Sequence, residues 1–384
     1  MNPQLKQKHC APSYAKCGTR FASLGTRCHK TGAMENTPLI VGLFMIFVVV
    51  LVGPFLNKRV ESNLEVFLFA MGIISATLSS AWGAEVVHEG FVAPINITLA
   101  VLGAGVLFHY VRKYIDHVMR RVLITVPLSV VVCSGIIILG LASSIISAII
   151  AALLLVEFIS VLPLHRHAEV NLTIIACFAI GLGAALTPLG EPLSTIAISK
   201  LSGAPYHADF LYLAKLLAFY VVPAVILLGV VAIFLVHEAA EDTEESLAAE
   251  EVEEKLTEVF VRAAKVYVFV MALIFLGAGF KPLIDTYLIK LSPQTLFWVN
   301  MISAVLDNAT LAAAEISPTL NEAQIKSALL GLLISGGMLI PGNIPNIIAA
   351  HTLQIKSTEW ARLGVPLGLV MMAGTAALFW FDLI

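Results

Sequence analysis

The chain has 384 residues, of which 59% are hydrophobic and 13% charged, with a net charge of −3 and a mean hydropathy of +0.92. A soluble domain of this length would carry about twice that charge fraction, so an ordinary soluble enzyme or binding domain is excluded. Apolar runs of roughly 18 residues or more can cross the hydrocarbon core as helices, and such runs recur throughout: an all-α polytopic membrane protein is expected.

Residues 1–33 come first and differ from the rest. They hold six Lys or Arg, no acidic residue, and Cys10, Cys17 and Cys28. No apolar core of signal-peptide length is present, so the segment reads as a basic, disordered tail or as residues ahead of a start at Met34. Apolar runs follow near 38–56, 64–82, 92–110, 122–141, 143–162, 209–236, 264–284 and 362–383. Three further segments, 172–200, 296–317 and 326–353, are apolar but interrupted by Gly, Pro, Asn or Asp. Arg112, Lys113, Arg120 and Arg121 are expected in one loop after the third helix, which the positive-inside tendency makes cytoplasmic. Residues 34–121 then form the N-terminal helices, 122–236 a first repeat, 237–261 an acidic solvated linker, and 262–384 a second repeat.

The division rests on a pattern written twice. GAALTPLGEPLSTI at 183–196 and GGMLIPGNIPNIIA at 336–349 each place two prolines four apart, Pro188 and Pro192 in one copy, Pro341 and Pro345 in the other. An Ile-Ser-Ala phrase precedes each at a nearly equal distance, Ile146–Ala148 and Ile302–Ala304. Paired interruptions of this kind predict two inverted repeats, each with a re-entrant or discontinuous helix, meeting at one central site. Irregular backbone is tolerated at membrane depth only where protein or a water-filled cavity surrounds it.

The residues able to do chemistry cluster at these interruptions. Asp307 and Asn308 sit inside an apolar stretch, and a central aspartate costs about 2.5–3.5 kcal/mol on insertion scales, so Asp307 is expected to face protein. Its bland role is a carboxylate hydrogen-bonded between helices. Its functional role is a cation ligand or proton carrier, since burial disfavours the ionised form while a bound cation favours it. By the register of the Ile-Ser-Ala phrases, the first repeat has Ala151 and Ala152 at the equivalent places. Thr187, Glu191, Ser194 and Thr195 supply oxygens in the first interruption, suited to a hard cation such as Na⁺; Glu191 could instead be a loop-tip residue. Asn343 and Asn346 supply amides in the second, which fit either sign of ion. Glu157 and Glu315 recur at matching places as relay carboxylates or interfacial groups. Asp307 and Glu191 are the two expected Na⁺ ligands.

ISAVLDNATLAAAEI resembles the Asp-Asn helix of sodium/proton antiporters and arsenite-type carriers in the ion transporter superfamily. LTPLGEPLSTI resembles the Thr/Ser-Pro-x-Gly-Asp/Glu-x-x-Thr-Thr element of those antiporters, with Glu191 at the acidic position. Residues 38–384 as a whole are similar to a prokaryotic family of predicted cation transporters filed as a domain of unknown function. The resemblance implies a secondary transporter exchanging Na⁺ against H⁺ by alternating access, in a prokaryotic inner membrane. The alternative is a Na⁺- or H⁺-coupled carrier of a small anion or oxyanion, distinguished by a positive group or converging half-helix N-termini at the site. Neither enzymatic activity nor a cofactor is expected. The expected partners are lipid, small inorganic ions and, as an open alternative, a second copy of the chain; no nucleic acid is expected.

Overall fold

The computed structural model describes residues 37–241, 256–287 and 291–380, all but Thr37 within the unit Pro38–Ile384, and every regular element among them is a helix. The basic tail and most of the acidic linker therefore lie outside the described residues. Helices satisfy every backbone group within their own segment, which is what apolar surroundings demand. Among the described residues seven helices are long and apolar enough to cross a membrane, so the chain is read as an integral membrane protein.

Ahead of the repeats stand α1 (Thr37–Leu56), a short α2 (Lys58–Ser62), α3 (Leu64–Leu78) and α4 (Ala84–Thr125). Two expectations change here. The run at 64–82 yields a helix that ends at Leu78. Arg112, Lys113, Arg120 and Arg121 lie within α4 rather than in a loop. The reason is local: no Gly or Pro occurs between Gly105 and Pro127, so nothing stops the helix until the residue before that proline is pushed out of helical geometry.

The segment expected as the first repeat forms α5 (Leu128–Ile146), α6 (Ala148–Ser160), α7 (Arg166–Ala184), α8 (Pro192–Leu201) and α9 (Tyr212–Glu241). The runs expected at 122–141 and 143–162 are thus one spanning helix and a half-helix. Between them Ser147 takes a φ of 77°, a left-handed conformation that breaks the helix. At 13 residues α6 is too short to cross a bilayer alone. The segment expected as the second repeat, 262–384, holds most of α10 (Leu256–Tyr287) and then α11 (Pro293–Val299) with a 3₁₀ turn (Asn300–Ala304), α12 (Asn308–Glu315), α13 (Glu322–Gly336), α14 (Ile344–Thr352) and α15 (Ser357–Trp380). The helices from α11 onward are the ones that match α5–α9 in order.

The element order is the same in α5–α9 and in α11–α15: helix, break, half-helix, helix, break, half-helix, helix. The proline-bearing breaks are also equal in length, 185–191 and 337–343. Contacts between the copies are reciprocal, since α6 packs on α14 while α8 packs on α12. Polar ties follow the same exchange. Arg166 at the start of α7 donates to the carbonyls of Leu353 and Gln354 beyond α14, at 2.7 and 2.9 Å. Lys200 at the end of α8 donates to the Ala313 carbonyl of α12, and the Tyr206 hydroxyl to the Leu320 carbonyl before α13.

Burial places α7 at the centre. Its apolar stretch is 83% buried, against 17% for α1 and for α15, whose side chains Phe44, Met45 and Val370 are exposed, as lipid-facing positions would be. Peripheral α3 and α10 approach closely through small residues. A Cβ at Gly72 would lie 2.9 Å from the Ala272 carbonyl, and one at Gly279 would lie 2.4 Å from the Ser75 hydroxyl, the close backbone approach that membrane helices favour. Buried Glu65 is paired there with Lys265 at 3.4 Å.

Candidate ion-binding cavity

Four half-helices begin around one cavity of about 390 Å³. Their N-cap residues are Ser147 for α6, Glu191 for α8, Asp307 for α12 and Asn343 for α14, and all four line it. The first turn of each half-helix adds Ala148, Pro192, Asn308 and Ile344. Among the described residues no lysine, arginine or histidine lines it. A helix N-terminus leaves backbone N–H groups unsatisfied and carries roughly half a positive charge. The cavity is therefore bounded by helix N-termini and two carboxylates.

The two carboxylates are held differently. One oxygen of Asp307, Oδ2, accepts from the Thr310 backbone N–H at 2.9 Å and from the Thr310 hydroxyl at 3.1 Å. This is the ordinary helix-capping use of an aspartate, made within α12 rather than between helices as the structural expectation had it, and it leaves the residue half-exposed toward the cavity. Glu191 is only 5% exposed and caps nothing with its side chain. Its Oε1 has no hydrogen-bond partner. Asn308 faces the Glu191 carboxyl and Asp307 acts on it electrostatically, yet Asn308 Nδ2 is likewise without a completed hydrogen bond. Buried polar atoms left unpaired in this way are uncommon and call for a proton, water or ion.

Gly190 explains how the first break brings Glu191 to the cavity. A Cβ there would lie 1.9 Å from the Ala184 carbonyl oxygen, so only glycine lets the chain fold back against the end of α7. The Gly190 carbonyl in turn accepts from the Ala148 N–H at 2.7 Å, tying the first turn of α6 to this break. On the other side Asn343 packs against α7, where a Cβ at Gly181 would lie 2.6 Å from Asn343 Nδ2. The two proline-bearing breaks thus both pack against α7 and line one cavity.

Of the residues singled out from sequence, Glu191, Thr195, Asp307, Asn308 and Asn343 line the cavity, and Thr187, Ser194 and Asn346 do not. The Thr187 hydroxyl donates to the Ser144 carbonyl of α5. Thr195 donates to the Pro188 carbonyl at 2.6 Å, closing the first break. Ser194 is buried with an unpartnered hydroxyl. Asn346 Nδ2 donates to the Gly336 and Leu339 carbonyls at 2.8 and 2.9 Å, bridging the second break. Glu157 is half-buried near the end of α6, and Glu315 is buried at the far end of α12 from Asp307, beside Asn300.

Sequence reasoning missed Ser147. The shared Ile-Ser-Ala phrase marked it, but its register paired Asp307 with Ala151 and Ala152, which are buried inside α6. The caps pair Asp307 with Ser147 instead, because each opens the half-helix that follows the first break.

No curated protein matches the chain significantly. A family model described as "Protein of unknown function (DUF1646)" matches residues 40–381. With nearly the whole helical unit covered, cavity and both breaks included, the chain belongs to this family of membrane-helical proteins of unknown function.

Proposed function

We propose that the protein is a secondary transporter whose cavity binds a monovalent cation, Na⁺ or H⁺, at Glu191 and Asp307 and exchanges one for the other. The observation that carries this reading is the Glu191 carboxyl: buried, lining the cavity, and with an oxygen that no protein donor satisfies. A carboxylate in that state is stabilised by a proton or by a metal cation, and the two compete for it. Asp307 adds a carboxylate oxygen from the start of α12, while Asn308, the exposed Thr195 hydroxyl and Asn343 complete a neutral lining. The reciprocal packing of α6 on α14 and α8 on α12 supports two inverted copies that rock about this cavity, which is the usual construction of alternating access. A prokaryotic inner membrane is the setting this reading implies.

One observation favours a second reading. The four converging N-termini suit an anion, and the cavity is far larger than a bare monovalent ion requires, since one water occupies about 30 Å³ in the liquid. In that reading the carboxylates carry the coupling cation and the helix ends hold a small anion. The experiment uses purified protein in liposomes with an internal pH dye and imposed gradients of Na⁺, Li⁺ or K⁺. Cation-dependent proton movement that needs Glu191 and no added anion supports exchange. Proton or Na⁺ entry seen only with a permeating carboxylate or oxyanion overturns exchange in favour of the second reading, and movement of neither under any gradient overturns both.

A further inference from the structure

Another buried carboxylate, besides the ion-paired Glu65, stands apart from the cavity. Glu315 closes α12 and Asn300 opens the 3₁₀ turn after α11; they are 3% and 0% exposed. Asn300 Nδ2 donates to Glu315 Oε2 at 2.9 Å and to the Ala328 carbonyl at 3.1 Å. Both amide hydrogens are thereby used, which fixes the orientation of the amide: the flipped group would set an oxygen against two acceptors. The other two oxygens on these side chains, Asn300 Oδ1 and Glu315 Oε1, are buried and have no partner.

We propose that Glu315 and Asn300 form a second proton-binding site, in which Glu315 Oε1 carries a hydrogen and donates it to Asn300 Oδ1. The amide and the carboxylic acid then exchange two hydrogen bonds in a closed ring, and one proton satisfies both orphaned oxygens. The step is a simple protonation: an O–H bond forms on the carboxylate with a proton from water, and the same bond breaks on release. A metal ion fits less well, because a hard cation takes about six or more oxygens and, among the described residues, these two side chains offer only two unclaimed oxygens. Position argues the same way. Glu315 lies at the C-terminus of its half-helix, where the negative end of the dipole opposes a carboxylate charge.

Nearby charges do not replace the proton. On α8, Lys200 is directed to the Ala313 carbonyl. On α13, Glu322 and Lys326 pair with each other at 3.4 Å. On α10, the described cations are Lys265, paired with Glu65, and Lys281, which is exposed. Among the described residues no ion pair reaches Glu315. The α12 helix has eight residues, which at about 1.5 Å each puts roughly 12 Å between this site and Asp307. The proton is therefore held apart from the cavity, and any coupling passes through α12. That coupling rests on the transport reading above, whereas the protonation itself does not.

Infrared spectroscopy of the protein in lipid at neutral pH tests it. The wild type should show the carbonyl stretch of a protonated, hydrogen-bonded carboxyl, and Glu315→Gln should lose one equivalent of that band. Asn300→Leu should keep the band but shift it toward a free acid. A glutamine can close the same ring with its own N–H, so Glu315→Gln should fold and resist denaturation at least as well as wild type. An unchanged band in Glu315→Gln, or a Glu315→Gln chain that fails to fold, overturns the proposal. Since this readout needs no transport, a failure here is distinct from a failure of the cavity to move ions. If the cavity does exchange ions, Glu315→Gln should flatten the pH dependence of exchange while retaining its cation dependence.

Discussion

Asn346→Ala offers the most quantitative test of how the second break is held. The last carbonyls of a helix have no partners within it, and at the end of α13 these groups are buried among protein, away from water. Asn346 Nδ2 supplies what is missing by donating to Gly336 and Leu339 at 2.8 and 2.9 Å. Alanine leaves the Gly336 carbonyl buried and unpaired, at about 1–3 kcal/mol, and takes one of two donors from the Leu339 carbonyl, which keeps the Gly342 N–H at 3.3 Å, at about 0.5–1.5 kcal/mol. It also removes Asn346 Oδ1, which has no partner itself, and this returns a share of similar size. The expected net loss is about 0.5–2 kcal/mol, read by reversible unfolding in mixed lipid–detergent micelles. Asn346→Leu should lose as much despite filling the space, which separates hydrogen bonding from cavity formation. A change below about 0.5 kcal/mol in both variants, the scale of an ordinary surface substitution, would refute the reasoning. Because Asn346 does not line the cavity, Asn346→Ala should slow turnover on the proposed transport reading and leave ion affinity nearly unchanged.

Glu191→Gln removes the charge whose oxygen lacks a donor, and should weaken apparent cation affinity by about 10–100-fold, the equivalent of one charged hydrogen bond of about 1.5–3 kcal/mol; transport titrations at wild-type affinity would exclude Glu191 as the ligand. Asp307→Asn keeps a good N-cap, so the variant should fold and insert normally while losing cation-dependent proton movement; wild-type rates would leave Glu191 to act alone. Gly190→Ala should destabilise the chain by about 1–3 kcal/mol or more, the range for overpacking a tight interior, seen as a lowered unfolding midpoint; unchanged stability would mean that the fold-back against Ala184 is not required.

The two proline-bearing breaks were legible because Pro and Gly act on the backbone locally, whatever surrounds them. The break at Ser147 was hidden for the opposite reason. A single non-glycine residue with positive φ is imposed by packing, and no composition signal accompanies it. Register failed by one residue as well. Aligning the prolines sets Glu191 against Ile344, whereas the caps set it against Asn343, since Pro192 is the first residue of α8 and Pro345 the second of α14. The cavity was legible as chemistry but not as a ranking. Asp307 stood out because aspartate is rare in apolar sequence, yet the fold spends one of its oxygens on a cap and leaves the less conspicuous Glu191 unsatisfied. Asn300 could not have been found at all, because its partner Glu315 is brought to it by a break and a half-helix.

The charge around the cavity bears on which ions can be coupled. Four N-termini contribute roughly half a positive charge each, about two in all, and Glu191 and Asp307 contribute two negative charges when both are ionised. The empty, ionised cavity is then near balance. A cation bound to Glu191, or a proton on it, leaves an excess of about one positive charge in either case. Exchanging Na⁺ for H⁺ at that carboxylate therefore changes the local charge little, which is the condition under which neither ion becomes trapped. An anion meets no such balance while both carboxylates are ionised, and is favoured only after one of them has been neutralised. Anion transport through this cavity would thus require at least one Na⁺ or H⁺ to enter with it, and Asp307→Asn, which supplies that neutralisation permanently, should loosen the requirement. Strict cation dependence of anion uptake in that variant would count against the N-termini as the anion's binding groups.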